Sequence, residues 1–249
     1  MRLTAPTHPI RSDWNVRDHV PLRDFIIQSH RGAGVLAAEN TLEAFELAWK
    51  LGCIPEADVR TTPEGTIVAR HDPDFTPPLT KLSDVLAAMS NRPERRLYLD
   101  IKQVDLEQLA AEVHATNVGR QAIVASTDYA IIRHWKRIVP TSPTLLWMGG
   151  SEAELQKRFE ELRRTGFAGI DQLQLHTHVV DRRLVETGSF LIERGDEIRS
   201  RGILFQSLPY GGASTEVYWK LLDLGVMSFA TDHPYVTLEA VRSYYGGGK

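Results

Sequence analysis

The residues of this chain that could do chemistry collect at the ends of short apolar runs. His30 and Arg31 end the run that begins Phe25-Ile26-Ile27, Glu56 and Asp58 end the next, His71 ends a short extended stretch, and Asp100 and Lys102 end another. Side chains two apart on a strand point the same way, so Glu56 aims with Asp58, and Asp100 with Lys102. Three convergent carboxylates repel one another at neutral pH unless protons or a cation neutralise them. All-oxygen ligation suits one hard divalent cation, Mg2+ or Ca2+ with Mn2+ also admitted, over a soft metal. Such a cation is a Lewis acid for a phosphoryl oxygen, while Arg31 and Lys102 add positive charge where negative charge gathers in the transition state. His30 and His71 are the candidate acid-base pair, because an unperturbed imidazole titrates near neutral pH. The set predicts phosphoryl transfer.

Placing these groups together requires a scaffold that ends many strands on one face. Short β-branched runs alternate with amphipathic stretches along the chain, starting with a strand at Phe25–Gln28 and a helix from Asn40-Thr41 to about Leu51. Further strands are predicted at Ile54–Val59, Arg96–Lys102, Gln121–Ser126, Thr144–Met148, Gly169–Leu175, Ile203–Ser207 and Val226–Thr231, with a short extended run at Thr66–His71. Helical patterns fall between them. Eight principal strands each followed by a helix predict an α/β fold, a single-domain (β/α)8 TIM barrel, whose active sites are built at the C-terminal strand ends. An open doubly wound sheet is the alternative, but no Gly-x-Gly-x-x-Gly follows the first strand. The barrel is expected over residues 25–245, after an N-terminal segment, residues 1–24, that covers its bottom. Residues 246–249, which include Gly246-Gly247-Gly248, are expected to form a flexible end.

Composition narrows the function classes. The chain has 29 Lys and Arg against 32 Asp and Glu, so it lacks the basic surplus that non-specific nucleic-acid binding requires. No nucleic-acid partner is expected. Neither an apolar signal region near the N-terminus nor an uncharged run long enough for a bilayer occurs, which predicts no stable membrane insertion and a cytoplasmic location. The single cysteine, Cys53, sits in the apolar context Leu51-Gly52-Cys53-Ile54 and is expected to pack as a small hydrophobe. Oligomeric state is not legible.

His30-Arg31-Gly32, Glu39-Asn40-Thr41 with Ala44-Phe45, Glu56-Ala57-Asp58-Val59, Thr62-Pro63-Glu64-Gly65 and His71-Asp72 together resemble, in order and spacing, the signature of glycerophosphodiester phosphodiesterases. The resemblance continues through Asp100-Ile101-Lys102 and returns at Thr231-Asp232-His233-Pro234. It implies a (β/α)8 barrel with one divalent cation held by Glu56, Asp58 and Asp100. It also implies His30 and His71 as the acid-base pair, and Arg31 and Lys102 on the phosphate. In the family's reaction a neighbouring substrate hydroxyl attacks phosphorus and water opens the cyclic product, leaving glycerol phosphate and an alcohol. A variant that releases the cyclic phosphate, like the related phospholipase D toxins, and a non-catalytic barrel that keeps the metal site are the rival readings.

Three departures from the family pattern stand out. Asp100 replaces a more frequent Glu, the insertion after the second strand is shortened to the Pro-rich link Asp72–Leu79, and Phe205-Gln206-Ser207-Leu208-Pro209 replaces the usual strand-seven sequence. Glu39 and Asn40 are expected to shape the loop and cap the first helix, Glu39 being also a candidate support for the metal from behind. Asp232 is expected to be structural, His176 and His178 to line the pocket or lie on the surface, and Trp147 and Gln174 to touch the substrate tail or simply pack.

Overall fold

The computed structural model describes residues 10–247. Residues 1–9 and 248–249 lie outside it, and with them part of the expected N-terminal segment and of the flexible end. Eight parallel strands form the barrel: β1 (Ile26–Ser29), β2 (Ile54–Thr61), β3 (Leu97–Gln103), β4 (Ala122–Ser126), β5 (Thr144–Met148), β6 (Gln172–Val180), β7 (Leu204–Tyr210) and β8 (Ser228–Thr231). Each pairs with the next, and β1 pairs with both β2 and β8, which closes the sheet and removes its edges.

Eight helices follow the strands in turn: α1 (Leu42–Leu51), α2 (Leu82–Met89), α3 (Leu106–Ala115), α4 (Tyr129–Ile138), α5 (Glu152–Arg164), α6 (Gly188–Arg199), α7 (Thr215–Asp223) and α8 (Pro234–Tyr245). Their starts are written in the local sequence. Thr41, Asp105, Asp128 and Thr187 accept backbone N–H groups at the starts of α1, α3, α4 and α6, and Ser151 and Glu154 form a reciprocal capping box on α5. Apolar faces such as Phe45 and Ala48 of α1 pack on the outer faces of the strands in one continuous core, which includes Cys53. No helix of the described residues is long and apolar enough to cross a membrane.

Part of the barrel interior is polar. Beside a small apolar group of Tyr98, Ile123, Ala125 and Leu145 lies a net of buried amides. Tyr98 donates to Gln172 at 2.7 Å, Gln206 donates to Ser228 at 2.9 Å, and Gln174 donates to both Gln206 and Gln28. Buried amides of this kind must be paired to be tolerated, so the net fixes one arrangement of the strands that carry it.

Residues 10–24 pack where α6, α7 and α8 end, which is the bottom of the barrel. Arg11 pairs with Asp223 at 3.4 Å, Trp14 lies beneath the Arg199 guanidinium, and Tyr245 donates to the Val20 carbonyl at 2.7 Å. At the mouth, a short strand Ile67–Ala69 runs antiparallel to β2 and pairs with Thr80–Lys81, so the short link after His71 folds back directly onto the barrel. The largest difference from the sequence pattern is in β6, which continues to Val180 and forms a hairpin with Arg183–Leu184. Its partner β7 keeps pace, with Tyr210 opposite His178. The two strands raise one wall of the mouth. Alternation of polar and apolar residues in Gln172–Val180 carried that signal, but His176, Thr177 and His178 look like a loop when read alone.

Candidate active site

β1 stops at Ser29 and the chain turns at Arg31, whose φ of 51° is left-handed. That turn points the Arg31 backbone N–H at Glu56 Oε2, 2.7 Å away, and leaves the His30 ring between two carboxylates. His30 Nδ1 lies 2.7 Å from Asp232 Oδ1, and its Nε2 lies 4.0 Å from Glu56 Oε2. Asp232 directly follows β8, the neighbour of β1. The two loops meet at Gly34, where an added Cβ would come within 2.2 Å of the Asp232 carbonyl oxygen. Burial alone would lower the His30 pKa, but the Asp232 hydrogen bond and the charge of Glu56 outweigh it and raise the pKa above its ordinary value.

Glu56 and Asp58 project from β2, and the strand register sets Asp58 opposite Asp100 of β3. One oxygen from each of the three carboxylates lies within 4.8 Å of the other two. Glu56 and Asp58 are buried, and Glu56 Oε1 has no hydrogen-bond partner. Burial, and then the charge of Asp58, push the Glu56 carboxyl up to about 8, and burial also raises Asp100. An orphaned carboxylate oxygen facing two further carboxylates is a donor set for a hard divalent cation, so these residues fit such an ion.

Each carboxylate is held from behind. Arg31 N–H fixes Glu56, and Asn40 clasps Asp58, its amide nitrogen donating to Oδ2 at 2.9 Å while its oxygen accepts the Asp58 N–H at 3.0 Å. Asp100 accepts from Lys102 Nζ at 2.7 Å and from the Trp147 indole N–H at 3.1 Å. Lys102 Nζ also lies 3.1 Å from Asp58 Oδ1, and burial, which would lower its pKa, is outweighed by Asp100 and Asp58. Arg31 pairs with Glu39 at 2.7 Å and lies 3.4 Å from Asp58.

These groups open into a cavity of about 230 Å³ with two unlike sides. His30, Arg31, Glu56, His71, Asp100 and Lys102 form the charged side. Leu145, Trp147, His176, Leu208 and Tyr210 form the other. His71 is a third exposed by its side chain and bonds Asp72 Oδ1 through Nδ1 at 2.8 Å. His176 is uncharged at neutral pH, since burial, followed by the nearby His30, lowers its pKa to about 4. The arrangement can hold a cation, surround a phosphoryl group with positive charge and offer imidazoles for proton transfer.

All seven residues singled out in the sequence fall in this region; six line the cavity and Asp58 lies directly behind it. Asn40 does not cap α1, because Thr41 accepts the Ala44 N–H there, and Asn40 is buried against Asp58 with a left-handed φ of 56°. Glu39 accepts from the Arg31 guanidinium at 2.7 Å. Asp232 is in contact with His30, a role its position after the last strand could have suggested once the barrel was known to close. His178 bonds Glu186 at 2.7 Å in the raised hairpin, away from the carboxylates. Trp147 and Tyr210 carry no sequence signal beyond being aromatic at strand ends.

Residues 30–118 match the model of the glycerophosphoryl diester phosphodiesterase family, so the family resemblance of the sequence is shown over that segment. No curated protein sequence matches the chain. Among solved structures, the barrel is similar to a glycerophosphodiester phosphodiesterase from Agrobacterium tumefaciens, with 20% identity over 88% of this chain and 99% of that one and a TM-score of 0.66. It is similar to a glycerophosphoryl diester phosphodiesterase from Parabacteroides distasonis, with 19% identity over 94% of this chain and 93% of that one and a TM-score of 0.66. It is also similar to a phosphodiesterase from Oleispira antarctica in complex with the product sn-glycerol-3-phosphate, with 20% identity over 92% of this chain and 99% of that one and a TM-score of 0.62. At these identities the likeness is one of fold.

Proposed function

We propose that this chain, whose residues 30–118 are those of the glycerophosphoryl diester phosphodiesterase family, hydrolyses a glycerophosphodiester to glycerol phosphate and an alcohol. One observation carries the reading: a trio of carboxylates within 4.8 Å, two of them buried, opens into the same small cavity as two histidines, an arginine and a lysine. Glu56, Asp58 and Asp100 would hold one divalent cation, Mg2+, Ca2+ or Mn2+. When bound, the ion supplies Lewis acidity and charge to a phosphoryl oxygen.

The protein's own groups do the rest. Arg31 and Lys102 bind the phosphate oxygens, Lys102 turning from the carboxylates as their charge is neutralised. His30, oriented by Asp232 through Nδ1, carries its catalytic proton at Nε2. His71, oriented by Asp72, exchanges the complementary proton, and the two swap roles between formation and opening of a cyclic intermediate. The alcohol lies against the aromatic side of the cavity. The enzyme acts on a small phosphodiester substrate, without nucleic acid, and we keep the cytoplasmic location expected from the sequence.

The test is turnover of glycerophosphocholine and bis(p-nitrophenyl) phosphate by chelator-stripped protein with Mg2+, Mn2+ or Ca2+ restored, beside His30→Ala. Metal-dependent hydrolysis that vanishes in the variant is expected. Silence with every cation across a broad phosphodiester panel would favour a non-catalytic barrel. Phosphorus NMR of the product distinguishes hydrolysis from release of a cyclic phosphate.

A further inference from the structure

We propose that Trp147 is a positioning residue for the cation site, acting through Asp100. The inference rests on the reading of Glu56, Asp58 and Asp100 as cation ligands. Asp100 is one methylene shorter than a Glu and is the trio's single member on β3, so its carboxylate has little freedom to seek the ion and must be presented in one orientation. Two groups present it: Lys102 Nζ on Oδ2 at 2.7 Å and the Trp147 indole N–H on Oδ1 at 3.1 Å. Lys102 also contacts Asp58 at 3.1 Å and is the group proposed to reach for phosphate. When it does so, the indole is the contact that keeps Asp100 in place.

The indole is itself held rigidly. Its ring lies parallel to His176, with centroids 4.8 Å apart and planes 6° from one another. His176 is buried and uncharged, and its Nε2 donates to Gln174 Oε1 at 2.9 Å. Gln174 in turn belongs to the amide net inside the barrel. A continuous chain of fixed groups, Gln174 to His176 to Trp147 to Asp100, thus runs from the barrel interior to the carboxylate. An indole nitrogen is a donor only and neither ligates a cation nor titrates, so its contribution is orientation. Outer hydrogen bonds of this type set the affinity of a metal site by fixing its ligands.

Trp147→Phe keeps the ring stack and deletes the N–H. Calorimetric titration of chelator-stripped protein with Mn2+ should show the dissociation constant raised about tenfold in this variant, with the melting temperature in chelator unchanged. In an Asp100→Glu background, where the longer carboxylate reaches the ion unaided, the same change should alter affinity less than about threefold. Equal affinity of Trp147→Phe and wild type, or equal losses in both backgrounds, would overturn the proposal. Should Trp147→Phe not fold, His176→Ala, which removes the stacking partner, carries the same expectation and the same refutation. Wild-type protein that binds no Mn2+ would overturn the cation reading and this inference with it, whereas binding with unchanged variant affinity would overturn this inference alone.

Discussion

Asn40 and Asp58 grip one another through two hydrogen bonds, 2.9 Å from the amide nitrogen to Oδ2 and 3.0 Å from the Asp58 backbone N–H to the amide oxygen. This reciprocal pair ties the loop after β1 to the middle of β2. It also leaves Asp58 Oδ1 facing the other carboxylates. Asn40→Ala removes both bonds from buried partners, which costs about 1–3 kcal/mol for the groups left unsatisfied. We expect a lower melting temperature together with weaker cation binding, followed by thermal denaturation and by Mn2+ titration. Unchanged cation affinity would show that Asp58 needs no such clasp.

His30 depends on Asp232 for both orientation and charge. Burial lowers the His30 pKa, and the Asp232 bond is the larger of the influences that raise it. Asp232→Asn keeps an acceptor but deletes the charge, so the His30 pKa should fall, and a rate limb that tracks this group should move to lower pH. Turnover should drop by about 10–100-fold, a part of what acid-base catalysis contributes. Proton NMR of the imidazole and the pH–rate profile check both. His71, whose partner Asp72 is exposed, should lose less when Asp72 is changed to Asn.

Glu56 links stability to pH and to metal. Its folded pKa of about 8 stands above the ordinary 4.5, so between those values the folded metal-free protein holds a proton that the unfolded chain does not. Stability of chelated protein should therefore be highest on the acid side of this window and fall as pH rises through it. A divalent cation, which stabilises the ionised carboxylate, should raise the melting temperature more at pH 8 than at pH 5. Each kcal/mol corresponds to about 2–4 °C for a domain of this size. Glu56→Gln should flatten both dependences; a melting temperature of metal-free wild type that rises across the window would contradict the assignment.

Gly34 has a left-handed φ of 58°, and a side chain there would collide with the backbone at Asp232. Gly34→Ala should push the loops of β1 and β8 apart, with backbone strain of about 1–3 kcal/mol. The His30–Asp232 contact sits beside that approach. Turnover is expected to fall with stability, and a variant that melts lower yet retains full activity would separate the loop contact from the working of the His30–Asp232 pair.

The order of strands and helices was legible because each element carries its own signal. Thr41, Asp128 and Ser151 stand at helix starts, and β-branched runs such as Ala122–Ser126 are buried strands. The carboxylates and histidines were legible for a similar reason: Glu56 and Asp58 are two apart on one strand, and charged groups at consecutive strand ends have one place to go in a closed barrel. What tertiary structure alone decided is which groups hold these in place. Asp232 meets His30 across 202 positions, Trp147 meets Asp100 across 47, and Asn40 meets Asp58 across 18. No local periodicity encodes such contacts, because they depend on closure of β1 on β8, on the register of facing strands and on backbone turns with positive φ. The sequence by itself determined the fold and the set of charged groups at the strand ends; closure of the barrel decided how those groups are oriented.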